Sequence, residues 1–197
     1  ELRHDSLRLH YVVHGTGPAV LMLHGGVSSF EHNFAQFGWV EALAGAGRQV
    51  VGLDFRGHGQ SDRPHEVARY GMAALVGDAL AVLDHLGLAR VALVGYSIGS
   101  AVVLELLRRR PAQFERAVLV AAGDGLVGHP PLSFPLVLPD LARVFEREVY
   151  PADLPKHHAA YWKILESVGG DRLAMRALAG GDYPPLSPDE AAAIDVP

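Results

Sequence analysis

Cysteine is absent from this sequence of 197 residues. Its absence excludes disulfide bonds, thiolate metal sites and a cysteine nucleophile. Lysine and arginine number 17 against 22 aspartates and glutamates, so the net charge is −5 and no basic surface for nucleic acid is expected. Every apolar run falls short of the ~20 residues that a membrane-spanning helix needs, and no secretory signal is visible. We therefore expect a cytoplasmic protein that acts on a small molecule and binds neither nucleic acid nor a membrane.

Hydrophobic residues are abundant and make up 49% of the chain. This fraction is enough for a buried core and far too high for a disordered protein. The length alone suits a single domain, because domains usually have roughly 100–200 residues. The motifs in the chain change that interpretation.

Short apolar segments alternate with segments of helical periodicity in the first part of the chain. The apolar segments occupy residues 7–15, 19–23, 49–55, 90–95 and 116–122. Nearly continuous apolar runs are typical of parallel strands that are buried on both faces. Apolar residues at i, i+3 and i+4 spacing predict helices that begin near Met72 and Ile98. This alternation predicts an α/β fold with a mainly parallel sheet and flanking helices.

The pattern changes near Gly123, where a proline-rich stretch without strand signals begins. Apolar periodicity then predicts helices near residues 141–149 and 161–168. The segment Ser187-Pro188-Asp189-Glu190 is a capping box with proline at the first helical position, which predicts another helix start. We therefore predict a core over residues 1–124, a helical insertion over residues 125–194, and the start of a further element at residues 195–197.

The motif that carries chemistry is Gly95-Tyr96-Ser97-Ile98-Gly99. It follows a predicted buried strand and opens a predicted helix, which is the context of a nucleophile elbow. The turn is sharp, so the residues beside the serine must be small, and Gly95 and Gly99 meet that need. Ser97 would then lie at the N-terminus of a helix, where the helix dipole favours negative charge.

A serine nucleophile needs a base to take its proton and N–H donors for the oxygen of the tetrahedral intermediate. Each such donor contributes about 2.7–4 kcal/mol. The backbone amide of Ile98, which follows the serine, is the first candidate donor. The second is expected in a loop after an earlier strand, and His24-Gly25-Gly26 lies in such a loop.

Three motifs in order resemble the α/β-hydrolase family. They are Gly17-Pro18 with the run from Val20 to Gly26, the turn Asp54-Phe55-Arg56-Gly57-His58-Gly59-Gln60-Ser61, and the elbow at residues 95–99. The resemblance implies that Ser97 is the nucleophile and that the amides of Gly26 and Ile98 form the oxyanion hole. It also implies that the helical insertion is a cap over the active site. Serine at this position disfavours the haloalkane dehalogenase and epoxide hydrolase branches, which use aspartate there.

The resemblance also implies parts that this sequence does not contain. The family's catalytic triad runs in the order serine, acid, histidine. Residues 194–197 resemble the family's lead-in to a further strand, so we expect the acid and the histidine beyond Pro197. The predicted strand at residues 116–122 is an independent sign, because its apolar character calls for neighbours on both sides and an unpaired edge invites aggregation. We expect the chain to be a portion of a longer hydrolase and to be inactive alone.

Asp124 is an alternative candidate for the acid, because some family members carry the acid after the strand that precedes the cap. The competing interpretation is a turn-forming aspartate between two glycines. No histidine offers an equivalent alternative for the base. Adjacent residues such as His157 and His158 point about 100° apart on a helix and cannot chelate one ion well. No metal and no cofactor are expected, because the chemistry needs only side chains and amides.

Other polar residues near these motifs have structural interpretations. We expect His24 to brace its loop, because the loop's backbone performs the chemistry. Asp54 and Arg56 are expected to form a network in the turn, with Ser61 and Asp62 capping the next element of the chain.

The sequence favours hydrolysis of a small or medium carboxylic ester, or of a related acyl compound, through an acyl-enzyme on Ser97. Carbon–carbon bond hydrolases and cofactor-free perhydrolases share these motifs and stay open as alternatives. A hydrolase-like binding protein without turnover, and a chain that a partner completes, also stay open. Neither the substrate nor the oligomeric state follows from the sequence.

Overall fold

The computed structural model describes residues 1–123, 126, 142–147 and 156–196, with the side chains of residues 156–158 left out. Its strands form two sheets. A small antiparallel hairpin joins β1 (Leu2–His4) and β2 (Leu7–Leu9). The main sheet contains β3 (Tyr11–His14), β4 (Ala19–Leu23), β5 (Gln49–Leu53), β6 (Val91–Tyr96) and β7 (Phe114–Val120).

The main sheet has the strand order β3-β5-β4-β6-β7. The pairs β5–β4, β4–β6 and β6–β7 are parallel, and only β3 runs antiparallel to its neighbour. Every residue of β4 is buried, as expected for a strand that is covered on both faces. The predicted α/β fold with a mainly parallel sheet is confirmed.

Helices cover both faces of the sheet, and further helices follow the last strand along the chain. They are α1 (Phe30–Asn33), α2 (Trp39–Gly45), α3 (Met72–His85), α4 (Ile98–Arg109), α5 (residues 142–146), α6 (Lys156–Ser167), α7 (Arg172–Ala179) and α8 (Pro188–Ala192). Alternate residues of β4 belong to two separate cores. Leu21 packs with α3 and α4, whereas Val20 and Met22 pack with Phe30 and Phe34 around α1. This alternation follows from the period of two along a strand.

The single strand predicted for residues 7–15 is wrong, because the chain breaks at His10. The His10 amide donates to Ser61 Oγ (2.9 Å), and its carbonyl accepts from the Asp54 amide (3.0 Å). Both backbone groups of His10 therefore bond to the turn after β5. As a result β2 pairs with β1, while β3 joins the main sheet.

The last strand of the described sheet is β7, which begins at Phe114 rather than at residue 116. Val118 is 49% exposed and Leu119 is 39% exposed. In the described part of the chain, no strand pairs with the outer edge of β7. The prediction that neighbours cover β7 on both sides stays a prediction.

The helical segment, comprising residues 142–147 and 156–196, packs against the core. At its end, Ser187 Oγ accepts from the Glu190 amide and the Glu190 carboxylate accepts from the Ser187 amide, which confirms the predicted capping box. The Met72 amide donates to the Asp182 carbonyl (2.8 Å) and ties the start of α3 to this segment. None of the helices in the described ranges is long and apolar enough to cross a bilayer.

Candidate active site

Ser97 occupies the turn between β6 and α4 with φ 53° and ψ −116°. A side-chain-bearing residue held in such a region costs about 1–3 kcal/mol and persists only where the surroundings impose it. The Ser97 amide donates to the Val120 carbonyl (2.9 Å), and the Ser97 carbonyl accepts from the Ser100 amide (2.9 Å). Hydrogen bonds on both sides of Ser97 therefore hold the strained turn in place.

The two glycines beside the turn allow a close backbone approach. A Cβ on Gly95 would lie 2.5 Å from the Gly99 carbonyl oxygen. A Cβ on Gly99 would overlap the carbonyl oxygen of Leu23 at the end of β4. Neither position accepts a side chain without moving backbone, in agreement with the expectation from the motif.

The buried hydroxyl of Ser100 reinforces the same turn. Its Oγ lies 2.8 Å from the Gly95 carbonyl oxygen and 3.0 Å from that of Val120. Ser97, by contrast, is only half-buried, and no side chain within the described residues hydrogen-bonds to its Oγ. The polar group proposed from the sequence as the nucleophile is thus left available, while the serine three residues later is fully engaged.

The β4 loop, residues 24–27, lies beside this turn. Leu23 pairs with Gly95 in the parallel register, so β4 and β6 end at the same level of the sheet. A Cβ on Gly25 would lie 2.8 Å from the Tyr96 ring, which shows that the loop and the turn are in direct contact. The motifs predicted this proximity, because both lie at the carboxyl ends of buried strands.

The amides of the β4 loop are not equivalent. The Gly25 amide donates to Asn33 Oδ1 (2.7 Å), and the Val27 amide donates to His58 Nε2 (3.1 Å). Neither the Gly26 amide nor the Ile98 amide has an acceptor among the residues that the structure describes. Within the described ranges, both backbone N–H groups predicted for an oxyanion hole are therefore unpaired, the Gly26 amide in the β4 loop and the Ile98 amide after β6.

His24 braces this loop from the inside, as expected. Its Nδ1–H donates to the Gly25 carbonyl (2.7 Å), and its Nε2 accepts from the Phe55 amide (3.0 Å). Burial lowers the pKa of His24 below its ordinary value and outweighs the opposing effect of Asp54. The ring is therefore neutral, and both of its nitrogens are engaged, so it is not a candidate base.

The turn after β5 is a network of buried polar groups centred on Asp54. Its carboxylate accepts from the Phe30 amide (2.9 Å), the Gln60 amide (3.0 Å) and His10 Nδ1 (2.9 Å). Burial by itself raises the pKa of Asp54, but the hydrogen bonds from these donors hold it below its ordinary value. The expectation that Asp54 serves the turn rather than catalysis agrees with its fully engaged carboxylate.

Arg56, only 1% exposed, anchors the same turn to α3. Its Nε and Nη2 donate to the two carboxylate oxygens of Asp78 at 2.7 and 2.6 Å, and its Nη1 donates to the Arg69 carbonyl (2.6 Å). Burial raises the pKa of Asp78 even with this partner in place. The pair is structural, as the sequence suggested, although its partner on α3 was not foreseen.

The prediction that Ser61 and Asp62 cap the next element is wrong. Ser61 Oγ donates to the Asp54 carbonyl (2.5 Å) and accepts from the His10 amide. Asp62 Oδ2 accepts from the Arg8 amide (2.7 Å). Both side chains hold the N-terminal strands, because those strands lie against this turn in the fold.

The remaining candidate residues fall outside the described part of the chain. Asp124 is not among the described residues, and neither are the side chains of His157 and His158. Across the described ranges, no group of three histidine, aspartate or glutamate residues is placed to hold a metal ion.

Helix α7 lies close to the β4 loop. A Leu178 methyl group lies 4.0 Å from the place that a Cβ on Gly26 would occupy. The Met175 methyl group lies 3.3 Å from the place that a Cβ on Gly57 would occupy. Asp171, the N-cap of α7, receives a hydrogen bond from His65 Nε2 (2.9 Å). An apolar side of α7 is thus held close to the unpaired Gly26 amide.

Comparisons with known proteins agree with this architecture. The sequence profile of the alpha/beta hydrolase fold matches residues 18–188. The chain is 31% identical over 148 residues to bifunctional epoxide hydrolase 2 of Sus scrofa, a match that covers 74% of this chain and 25% of that protein.

Two solved structures share the fold at lower sequence identity. One is the bottromycin epimerase BotH in complex with bottromycin A2, with a TM-score of 0.73 at 23% identity over 89% of this chain and 68% of that one. The other is an esterase from Exiguobacterium antarcticum, with a TM-score of 0.70 at 19% identity over 89% of this chain and 69% of that one. The chain spans about a third or less of the length of the curated relatives it matches.

Proposed function

The chain belongs to the alpha/beta hydrolase fold family, and on this premise we propose that it contributes the nucleophile and the oxyanion hole of a serine-dependent hydrolase. The proposed substrate is a small or medium carboxylic ester or a related acyl compound. One observation carries the proposal: the strained Ser97 and two unpaired amides lie at the ends of adjacent strands.

The proposed reaction has two halves. Ser97 Oγ attacks the carbonyl carbon while a base takes its proton, and the carbonyl oxygen becomes an oxyanion that the Gly26 and Ile98 amides stabilise. The intermediate collapses to an acyl-enzyme as the alcohol leaves with a proton returned by the base. Water then attacks the acyl group by the same route and releases the acid and free Ser97.

The base and the acid of this scheme belong to residues that the structure does not describe. His24 and His58 are fully engaged in hydrogen bonds, which supports a base from elsewhere. We place a histidine base outside the described residues. The acid that orients this histidine is either Asp124 or another residue outside the described ranges. The scheme needs side chains and amides only, so it includes no cofactor.

We further propose that residues 125–194 form a cap over the core of residues 1–124. The position of Leu178 beside Gly26 supports this assignment, because a group bound to the oxyanion hole would meet that side chain. Met175 adds a second apolar group nearby. A cap of this character favours an apolar acyl group of limited size.

A serine nucleophile favours an ester substrate over an epoxide substrate, although one relative of this chain is called an epoxide hydrolase. Attack of a carboxylate on an epoxide carbon gives an ester, which water cleaves. Attack of a serine hydroxyl on the same carbon gives an ether, which water does not cleave. Ser97 is therefore suited to turnover of acyl substrates and unsuited to turnover of epoxides.

The test compares hydrolysis of p-nitrophenyl esters from acetate to octanoate, and of styrene oxide, by the natural full-length protein. We expect ester hydrolysis by the wild type and a loss of at least about 10³-fold in Ser97→Ala, with no epoxide turnover. The exposed Ser167 gives a matched control, and Ser167→Ala should keep wild-type activity. Ester hydrolysis that survives in Ser97→Ala would overturn the proposal, and no turnover of any ester would favour a binding protein.

A further inference from the structure

Three side chains bond to the backbone of the β4 loop on either side of Gly26. Asn33 accepts from the Gly25 amide, His24 donates to the Gly25 carbonyl, and His58 accepts from the Val27 amide. Among the described residues, the Gly26 amide is therefore the one N–H between residues 25 and 27 that lacks an acceptor.

Val27 has a strained backbone conformation, with a φ of 60°. A positive φ is a genuine outlier for a β-branched residue, so something must hold Val27 in this conformation. The one side chain that bonds to its amide is His58, at 3.1 Å. The orientation of the Gly26–Val27 peptide thus depends on an acceptor supplied by the turn after β5.

His58 is itself held in one orientation and one tautomer. It is 3% exposed, and its Nδ1–H donates to the Arg56 carbonyl (3.0 Å). Because Nε2 accepts from an amide, the proton must reside on Nδ1. Burial lowers the pKa of His58 to about 3, so the ring stays neutral at physiological pH.

We propose that His58 is a positioning residue that fixes the Gly26 N–H as the free donor of the oxyanion hole by accepting the Val27 amide. This inference rests on the proposed function. His58 touches no reacting atom, and it acts through the backbone of Val27. Helix α3 supports this arrangement through Asp78. The Asp78–Arg56 ion pair holds Arg56 in place, and the Arg56 carbonyl orients the His58 ring.

The first test measures the loop without any substrate. In the wild type, the ¹⁵N shifts of His58 should show the Nδ1–H tautomer throughout pH 5–8. Hydrogen exchange should be slow at the Val27 amide and fast at the Gly26 amide. A His58 ring that titrates near pH 6.5, or a Val27 amide that exchanges as fast as that of Gly26, would overturn the inference.

The second test uses ester hydrolysis by the natural full-length protein. His58→Phe keeps the ring shape but removes the acceptor, so we expect kcat to fall by about 10–100-fold with KM nearly unchanged. His58→Gln restores an acceptor for the Val27 amide and should recover at least about tenfold of that loss. His14→Phe, at an exposed histidine, is the matched control and should keep the wild-type kcat.

The outcomes separate the two proposals. If the wild type hydrolyses none of the esters, the proposed function fails. If the wild type is active and a folded His58→Phe keeps its kcat, the positioning role of His58 fails while the proposed function stands. If His58→Phe does not fold, the tautomer and exchange measurements on the wild type, together with the kcat of His58→Gln, decide the matter.

Discussion

Two turns at the same edge of the sheet use polar residues in opposite ways. In the turn after β5, Asp54 and Arg56 are buried, and the charged groups of both side chains are fully paired. In the turn after β6, the backbone is strained, glycines allow the close approach, and Ser97 is left half-exposed without a side-chain partner among the described residues.

The difference separates polar groups that build the fold from the polar group that is available for chemistry. A buried charge is tolerated only when it is fully paired, so Asp54 and Arg56 contribute to the architecture. A nucleophile must instead be reachable and held in a defined place. The β5 turn also supports the neighbouring site, because its His58 holds the β4 loop.

The largest expected effect is on the β5 turn. Replacing Arg56 with methionine leaves Asp78 buried with only the distant His4 Nε2 (3.9 Å) facing its carboxylate, which should lower the free energy of unfolding by about 3–5 kcal/mol. The exposed Arg110–Asp84 pair gives the control, and Arg110→Met should cost no more than about 1 kcal/mol. Urea denaturation measures both, and equal losses would contradict the distinction between buried and exposed pairs.

The next effect concerns the elbow. Gly99→Ala places a methyl group against the Leu23 carbonyl oxygen and should lower the free energy of unfolding by about 1–3 kcal/mol. It should also abolish activity, because β4 and the elbow must separate. Gly45→Ala, where no atom lies within 4 Å of the new methyl group, should be neutral or stabilising. Thermal denaturation of the two variants gives the comparison.

The buried histidines predict a dependence of stability on pH. His58 has a folded pKa of about 3 against an ordinary value of 6.5, so the unfolded chain binds its proton first as the pH falls. The stabilisation is complete above pH 6.5 and is lost progressively between pH 6.5 and 3, at about 1 kcal/mol by pH 5.5. Urea midpoints between pH 8 and 5 should fall less in His58→Gln. An identical fall in both proteins would contradict the assignment.

The smallest effect concerns the strain at Ser97. Ser97→Gly removes the steric cost of a φ of 53° and should raise the free energy of unfolding by up to about 1 kcal/mol. Ser97→Ala keeps the Cβ and should change it less. Calorimetry distinguishes them, and a destabilised Ser97→Gly would show that the turn is not strained.

The sequence predicted those features that depend on local pattern. The strand at residues 19–23, the elbow between β6 and α4, and the capping box at Ser187 follow from periodicity, small residues and capping chemistry. The break at His10 was missed because both of its backbone bonds go to residues more than forty positions away in the chain.

The polar residues of the β5 turn show the same limit. The motif marked Ser61 and Asp62 as turn residues, but their partners lie on the N-terminal strands. The link from His58 to Val27 likewise connects two loops that only the fold brings together. A signal was present in the motif, where a histidine stands between two glycines, but nothing local identified its partner.

The central claim is that Ser97 is the nucleophile, and covalent trapping tests it most directly. The natural full-length protein is treated with a fluorophosphonate and digested, and the mass of the peptide that contains Ser97 is measured by mass spectrometry. We expect one phosphonyl group on Ser97 in the wild type and none in Ser97→Ala. An ester-hydrolysing protein that is labelled at another residue, or that is labelled equally in Ser97→Ala, would contradict it.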